Sequence, residues 1–341
     1  MDLEFYQTLW FVLWGVLWAG YLALDGFDLG AGSLLYVLGK SDQERRAIYQ
    51  SIGPFWDGNE VWLITAGGAT FAAFPTAYAV MFSSLYTPLL LLLFALIIRG
   101  VAVEYRNKYE SPTWRNLWDI AFFVGSLAPA LLLGVFFANL FKGIPIDEKG
   151  ILQTNLLGLL HPYALLGGIL FVFCFATHGA LWLALRAPEP LASRSASLAK
   201  ITWAITFVLT GFFLLISGFF TNIWQNFKNY PILSIVPILM ICTYLLVPVF
   251  IRSAKYLHAW IFSALTIVLF TAWGMIGLFP NLLPSSIDPA YSLTIYNSSS
   301  SLLTLKIMTI VAVIFVPVVL LYTYWAYKTF SYRLSKEEVS Y

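Results

Sequence analysis

Residues 20–32 read GYLALDGFDLGAG, and they lie inside an apolar run from 6 to 38 that holds Asp25 and Asp28 among aliphatic and aromatic neighbours. A run of that length crosses a bilayer as a helix, for which about 20 apolar residues suffice. Carboxyls in hydrocarbon are expensive unless they are paired, hydrated or protonated, so these two point to function as well as to the membrane. Working outward, the same reading finds eight further runs: 54–74, 77–103, 114–141, 157–185, 199–225, 231–251, 257–280 and 305–330. Turn-rich breaks separate them at Phe74-Pro75, Ser111-Pro112, Gly143 to Pro145, Pro188 to Pro190, Tyr230-Pro231 and Pro280 to Pro289. Only helices fit, because an open strand in lipid leaves backbone groups unpaired.

Composition agrees. The 341 residues are 60% apolar, 18% aromatic and only 11% charged, with a mean hydropathy of +0.80. Soluble domains carry about a quarter charged residues, so a water-soluble fold is excluded. The length accommodates about nine spans and no further soluble domain. A net charge of +2 with scattered basic residues leaves no electrostatic footprint for nucleic acid. Cys174 and Cys242 sit in apolar runs without metal spacing and read as small core hydrophobes rather than a disulfide or zinc site. The N-terminus carries Asp2 and Glu4 with no early basic residue, and the run that follows exceeds a signal-peptide core, so the first span is expected to be retained.

The basic residues orient the spans, since short cytoplasmic loops hold most Lys and Arg. Of 19 Lys and Arg, only Lys142, Lys149, Lys228 and Lys306 fall on one side. Arg99 lies inside the third span, and the other 14, among them Lys40, Arg45, Arg106, Arg194 and Lys336, fall on the opposite side. The alternation holds through all nine spans and predicts an outside N-terminus and a cytoplasmic C-terminus.

Four acids lie within the first two spans: Asp25, Asp28, Asp57 and Glu60. The first helix descends from outside, which brings Asp25 and Asp28 close to the inner boundary. The second rises from near Ser51, which puts Asp57 and Glu60 about 8 to 14 Å up. Arg99 arrives at a similar level, so five ionisable groups are expected to gather, with Glu104 and Asp119 nearby. Each acid pair is three residues apart and shares one helix face. Four carboxyls beside one Arg cannot all ionise cheaply, and titratable carboxyls opening toward the cytoplasm are what a proton-uptake route requires. Gly26, Gly30 and Gly32, with Gly58, Gly67 and Gly68, are read as supporting close helix packing.

His161 and His178 lie on one span about 25 Å apart, and His258 begins the eighth. No two are level enough to hold a six-coordinate haem, so this chain is expected to bind no cofactor or metal. Trp10, Trp14 and Trp18, on one face of the first helix, are read as part of the interfacial aromatic belt.

The stretch 20–32, followed by GPFWDGNEVWLITAGG at 53–68, resembles subunit II of the cytochrome bd-type quinol oxidases. The likeness continues through Phe71 to Pro75, Arg99-Gly100-Val101, HPYALLGG at 161–168, Pro284 to Ser286, SSSLLTL at 299–305 and PVVLLY at 317–322, nearly the whole length. The resemblance implies an all-α integral membrane protein of about nine transmembrane helices, a single membrane domain over 1–341. It would comprise one four-helix bundle at about 1–141, a second at about 157–280 and a peripheral helix at about 305–330. It implies a bacterial inner-membrane, multi-pass subunit paired with a haem-carrying subunit I, which holds two haem b, one haem d and the quinol site. The complex would reduce dioxygen to water with electrons from quinol, drawing protons from the cytoplasm through subunit II. Asp25 and Asp28 match the acids of the DGFD motif, and Asp57 and Trp62 match the WDGN motif and the tryptophan that completes it. Glu60 stands where relatives also carry Gln, and the connection from Asn226 to Tyr230 is shorter than in long-looped relatives. Small single-span subunits, and a quinone or lipid lodged in this chain, stay open.

The proton pathway is therefore expected to involve Asp25, Asp28, Asp57, Glu60, Trp62 and Arg99. Two alternatives remain: a proton-coupled transporter acting alone, and a purely structural partner whose acids only bond subunit I. Against the first, the spans from 157 to 330 contain no acid, whereas inverted-repeat transporters place matching sites in both halves.

Overall fold

Capping residues set where the helices begin. In the computed structural model, which describes residues 2–335, the Asp2 side chain accepts from the Phe5 N–H to open α1, Leu3–Ser33. Ser41 caps the amphipathic α2, Asp42–Ile52. Next come α3, Trp56–Ala73, and α4, Pro75–Ser84, which Pro75 starts at the first helical position. After α5, Tyr86–Tyr105, Ser111 and Pro112 open α6, Pro112–Lys142, which Gly143 ends at φ 90°. His161 caps α7, Pro162–Arg186. The remaining long helices are α8, Leu191–Phe220; α9, Ile235–Arg252; α10, Tyr256–Leu278; and α11, Leu302–Thr329, capped by Ser301. Met1 and Lys336, the latter counted on the cytoplasmic side, lie outside the described residues.

Among the described residues eight helices are long and apolar enough to cross a membrane: α1, α5, α6, α7, α8, α9 with the 3₁₀ turn before it, α10 and α11. The expected second span is realised as α3 but is not among the eight, because Asp57, Gly58, Asn59 and Glu60 dilute its hydropathy. The expected third span, 77–103, is corrected to two helices broken at Leu85. Pro88 has no N–H to offer the Ser84 carbonyl, and its ring crowds that turn, so the helix restarts there. The sixth span starts at Leu191 rather than 199, since the small polar residues of 191–198 continue the helix beyond the apolar stretch.

Helix α1 is the hub, packing on α3, α6, α7 and α10, while α7 joins α6 to α8 and α10. The tightest approaches are glycine-built. A Cβ at Gly26 would fall 2.8 Å from the Phe175 ring, and one at Gly30 would overlap the Phe175 carbonyl. Gly32 likewise admits Ser126 of α6. The expectation for Gly58, Gly67 and Gly68 is corrected, because each faces open space with nothing within 4 Å of an added Cβ. Trp10, Trp14 and Trp18 are also corrected. They are buried core rather than belt, with the Trp10 indole N–H donating to the Leu305 carbonyl and the Thr309 hydroxyl. Their face of α1 turns toward α6, α10 and α11 rather than toward lipid. Cys174 is half-buried, and Cys242 is exposed on α9 instead of in the core.

Helix α11 is peripheral, touching α1 and α3 and burying only Leu305 along its length. A short antiparallel pair, β1 at Asn281–Leu283 with β2 at Leu293–Thr294, covers the lysine-poor end of the bundle.

Candidate functional site

Two glycines of neighbouring helices seat α3. Trp62 lies on Gly20 of α1, where a Cβ would come within 2.5 Å of its ring, and Trp56 lies against Gly100 of α5. Seated this way, α3 turns Asn59 and Glu60 toward α1 and α5. Gly125 of α6 performs the same service behind Arg99, admitting its backbone to within 2.9 Å of a would-be Cβ.

The centre of the site is Arg99. Its Nη2 donates to Asp25 Oδ1 at 2.8 Å, with both side chains fully buried, and lies 3.6 Å from Glu60 Oε2. Asp28, one turn along α1, accepts from Asn59 Nδ2 at 2.7 Å. The Tyr21 hydroxyl and the Asp28 carboxyl both lie beside Asp25. Asp25 Oδ2, Asp28 Oδ1, and Arg99 Nε and Nη1 are buried without a well-formed hydrogen bond. Buried charge of this kind is costly unless water or proton exchange compensates it. Carboxyls with spare oxygens, closed off from bulk solvent and balanced by one guanidinium, can hold and pass protons.

Four of the five expected groups therefore meet: Asp25, Asp28, Glu60 and Arg99. Asp57 does not join them. It is exposed on α3, one turn before Glu60, to which it is electrostatically coupled. Of the two acids expected nearby, Glu104 is exposed near the end of α5, and Asp119 belongs to an ion network of its own at the arginine-rich end of the bundle. There Arg106 Nε reaches Asp119 Oδ1 at 2.5 Å and Arg45 Nη1 reaches Asp119 Oδ2 at 3.1 Å. Asp42 accepts from Arg106 at 2.8 Å and Arg115 at 3.1 Å, with Arg46 at 3.7 Å. Burial opposes ionisation of Asp42, yet the Arg106 hydrogen bond and the three guanidiniums outweigh it and hold the carboxyl below its usual range.

Two of the three histidines hydrogen-bond within the protein, and the third, His258, stacks on Phe250 with ring centroids 5.4 Å apart. His178 Nε2 donates to the Ala23 carbonyl at 3.0 Å, which makes Nδ1 the acceptor from the Ser263 hydroxyl at 3.1 Å. His161 Nδ1 accepts from the Ala164 N–H. Among the described residues no group of three His, Cys, Asp or Glu converges. An apolar cleft of about 610 Å³ lies between α3, α4, α5 and α6, bordered by Trp18, Leu63, Phe71, Leu96 and Phe136.

Sequence reasoning missed Asn59 and Tyr327. Asn59 was visible beside Asp57 but is neutral, so a search for charge passes over it. Tyr327 stands 268 residues away, and its hydroxyl reaches Asn59 Oδ1 at 2.9 Å only in the folded chain.

The model of the family described as cytochrome bd terminal oxidase subunit II matches residues 6–330. The chain is 39% identical to "Cytochrome bd-I ubiquinol oxidase subunit 2" of Escherichia coli, covering 99% of this chain and 98% of that one. It is 40% identical to "Probable cytochrome oxidase subunit 2" of Haemophilus influenzae, covering 98% and 96%. For "Cytochrome bd ubiquinol oxidase subunit 2" of Bacillus subtilis the identity is 38%, covering 97% and 98%. Among solved structures, a chain of the bd oxidase from Geobacillus thermodenitrificans superposes with a TM-score of 0.75 at 18% identity, covering 95% of this chain and 98% of that one, which shows a shared fold.

Proposed function

Since the chain belongs to the cytochrome bd terminal oxidase subunit II family, we propose that it is the haem-free subunit through which an oxygen-reducing quinol oxidase takes up protons. The carrying observation is a gradient of exposure along the acids: Asp57 is open, the Glu60 side chain is 17% exposed, and Asp25 and Asp28 are sealed. A proton accepted at Asp57 passes to Glu60, then to the Asp25 and Asp28 pair beside Arg99. The guanidinium offsets the carboxylate charge left after each transfer, and the Trp62 indole on Gly20 fixes α3 against α1 so that the spacing holds. The haem-bearing subunit I, with its two b haems and one d haem, receives these protons where dioxygen is reduced. The arginine-rich end faces the cytoplasm in this reading, with the N-terminus outside.

Family membership favours an oxidase subunit over a transporter acting alone. The structural-partner reading retains one favouring observation, since a sealed Arg99–Asp25 pair also locks α1 to α5. Asp25→Asn in the assembled complex separates the two. Proton conduction predicts slow quinol-driven oxygen uptake with full haem content, and a structural role predicts haem loss in step with activity. Normal turnover with full haem content removes Asp25 from the route. The apolar cleft between α3 and α6 is of a size to take a quinone tail or lipid acyl chain.

A further inference from the structure

Asn59 is buried, and its three hydrogen bonds determine which way its amide points. Nδ2 faces two acceptors, the Leu24 carbonyl at 3.1 Å and Asp28 Oδ2 at 2.7 Å. A flipped amide would set Oδ1 against both, so the orientation is settled by chemistry. Oδ1 then needs a donor, and the Tyr327 hydroxyl supplies it at 2.9 Å. Of the two Asp28 oxygens, Oδ2 is thus held by Asn59, while Oδ1 is buried without a well-formed partner.

Tyr327 is itself held firmly on a helix that is otherwise loosely attached. Its ring packs in an aromatic cage, 4.7 Å from Phe55, 6.1 Å from Trp182 and 6.3 Å from Trp260 between centroids. Just beyond it the chain is tied across the end of α7. Arg186 donates to the Phe330 and Tyr332 carbonyls, Leu334 N–H donates to the Arg186 carbonyl, and Arg333 Nε donates to the Ala187 carbonyl. A helix that buries almost nothing along its length is therefore fastened at its last turn, where its one polar contact with the acid cluster is made.

We propose that Tyr327 is a positioning residue for Asp28: by holding the Asn59 amide it aims the second carboxyl oxygen of Asp28 at Asp25, and so keeps the carboxyl pair in register for proton transfer. The inference rests on the proton-uptake reading above. A neutral amide does not relay protons, so Tyr327 and Asn59 lie beside the path rather than on it. The groups facing Asp28 are Asp25 on α1, Asn59 and Glu60 on α3, Arg99 on α5 and Tyr327 on α11.

The test is Tyr327→Phe in the assembled complex, which keeps the ring and removes the donor. Turnover in quinol-driven oxygen uptake should fall roughly tenfold, as expected for leaving one buried acceptor unsatisfied. Haem content and the KM for quinol should stay unchanged, and the solvent deuterium isotope effect should rise because proton delivery has become limiting. In an Asn59→Leu background the same change should add nothing. Wild-type turnover, an altered KM, an unchanged isotope effect, or loss of haem with activity would each overturn the proposal, the last reducing Tyr327 to an anchor. Asp28→Asn is the control: if it is slow while Tyr327→Phe is normal, only the positioning role fails. If Asp28→Asn turns over normally, the proton-uptake reading fails and this inference with it.

Discussion

Arg99 Nη2 lies 2.8 Å from Asp25 Oδ1, and neither side chain is exposed to solvent. Two charges sealed together between α1 and α5 are held by one another, so removing one leaves the other stranded. Arg99→Leu should destabilise the subunit by roughly 3–5 kcal/mol, and Arg99→Leu with Asp25→Leu should recover a large part of that loss. Thermal unfolding of the purified complex, followed by haem absorbance, measures both.

The glycines separate sharply by what surrounds them. A Cβ at Gly30 would overlap the Phe175 backbone, whereas Gly67 and Gly68 have nothing within 4 Å. Gly30→Ala should therefore pry α1 from α7 and prevent accumulation of the folded subunit. Gly67→Ala should be tolerated by the chain's own fold and stabilise α3 by up to about 1 kcal/mol through helix propensity. Expression level and melting temperature of the two variants give the comparison.

At the arginine-rich end, Asp42 and Glu44 both have carboxyls held below the usual range. Burial works against this, but hydrogen bonds from Arg106 to Asp42, and from Arg194 and the Lys40 N–H to Glu44, prevail. A lowered folded-state value means that the unfolded chain binds the proton more tightly. The stabilisation is thus complete above the ordinary carboxylate pKa of about 4 and is lost as pH falls through the lowered values. Melting temperature should drop as the pH is taken from about 5 to about 3, and Asp42→Asn should flatten part of that drop.

Arg186 donates to two carbonyls of the segment after α11. Replacing it by Gln removes charge-assisted bonds worth about 1.5–3 kcal/mol each, so that segment should open far more often. Limited trypsin digestion should then cleave after Arg333 roughly tenfold faster or more, with the fragment identified by mass spectrometry. An unchanged cleavage rate would show that the aromatic cage alone holds the segment.

The membrane class, the approximate positions of most spans and the presence of acids inside the first two were legible in the chain. Each depends on local composition: apolar runs, turn residues and charges that are conspicuous in hydrocarbon. Burial and partnership were not legible. Trp10, Trp14 and Trp18 have belt-like spacing yet form core, and Asp57 shares a helix face with Glu60 yet stays outside the cluster. The helix break at Leu85 was readable in principle from Pro88, but a continuous apolar run masks it when hydropathy alone is followed.

By itself the sequence determined that this is a helical membrane protein with carboxyls inside its first two apolar runs, because hydrophobicity and charge act residue by residue. Only the tertiary structure decided which acids meet Arg99, which glycines touch a neighbour and that Tyr327 reaches Asn59. Those facts depend on helix rotation and on contacts between residues as far apart as 268 positions, which packing selects and no local pattern encodes.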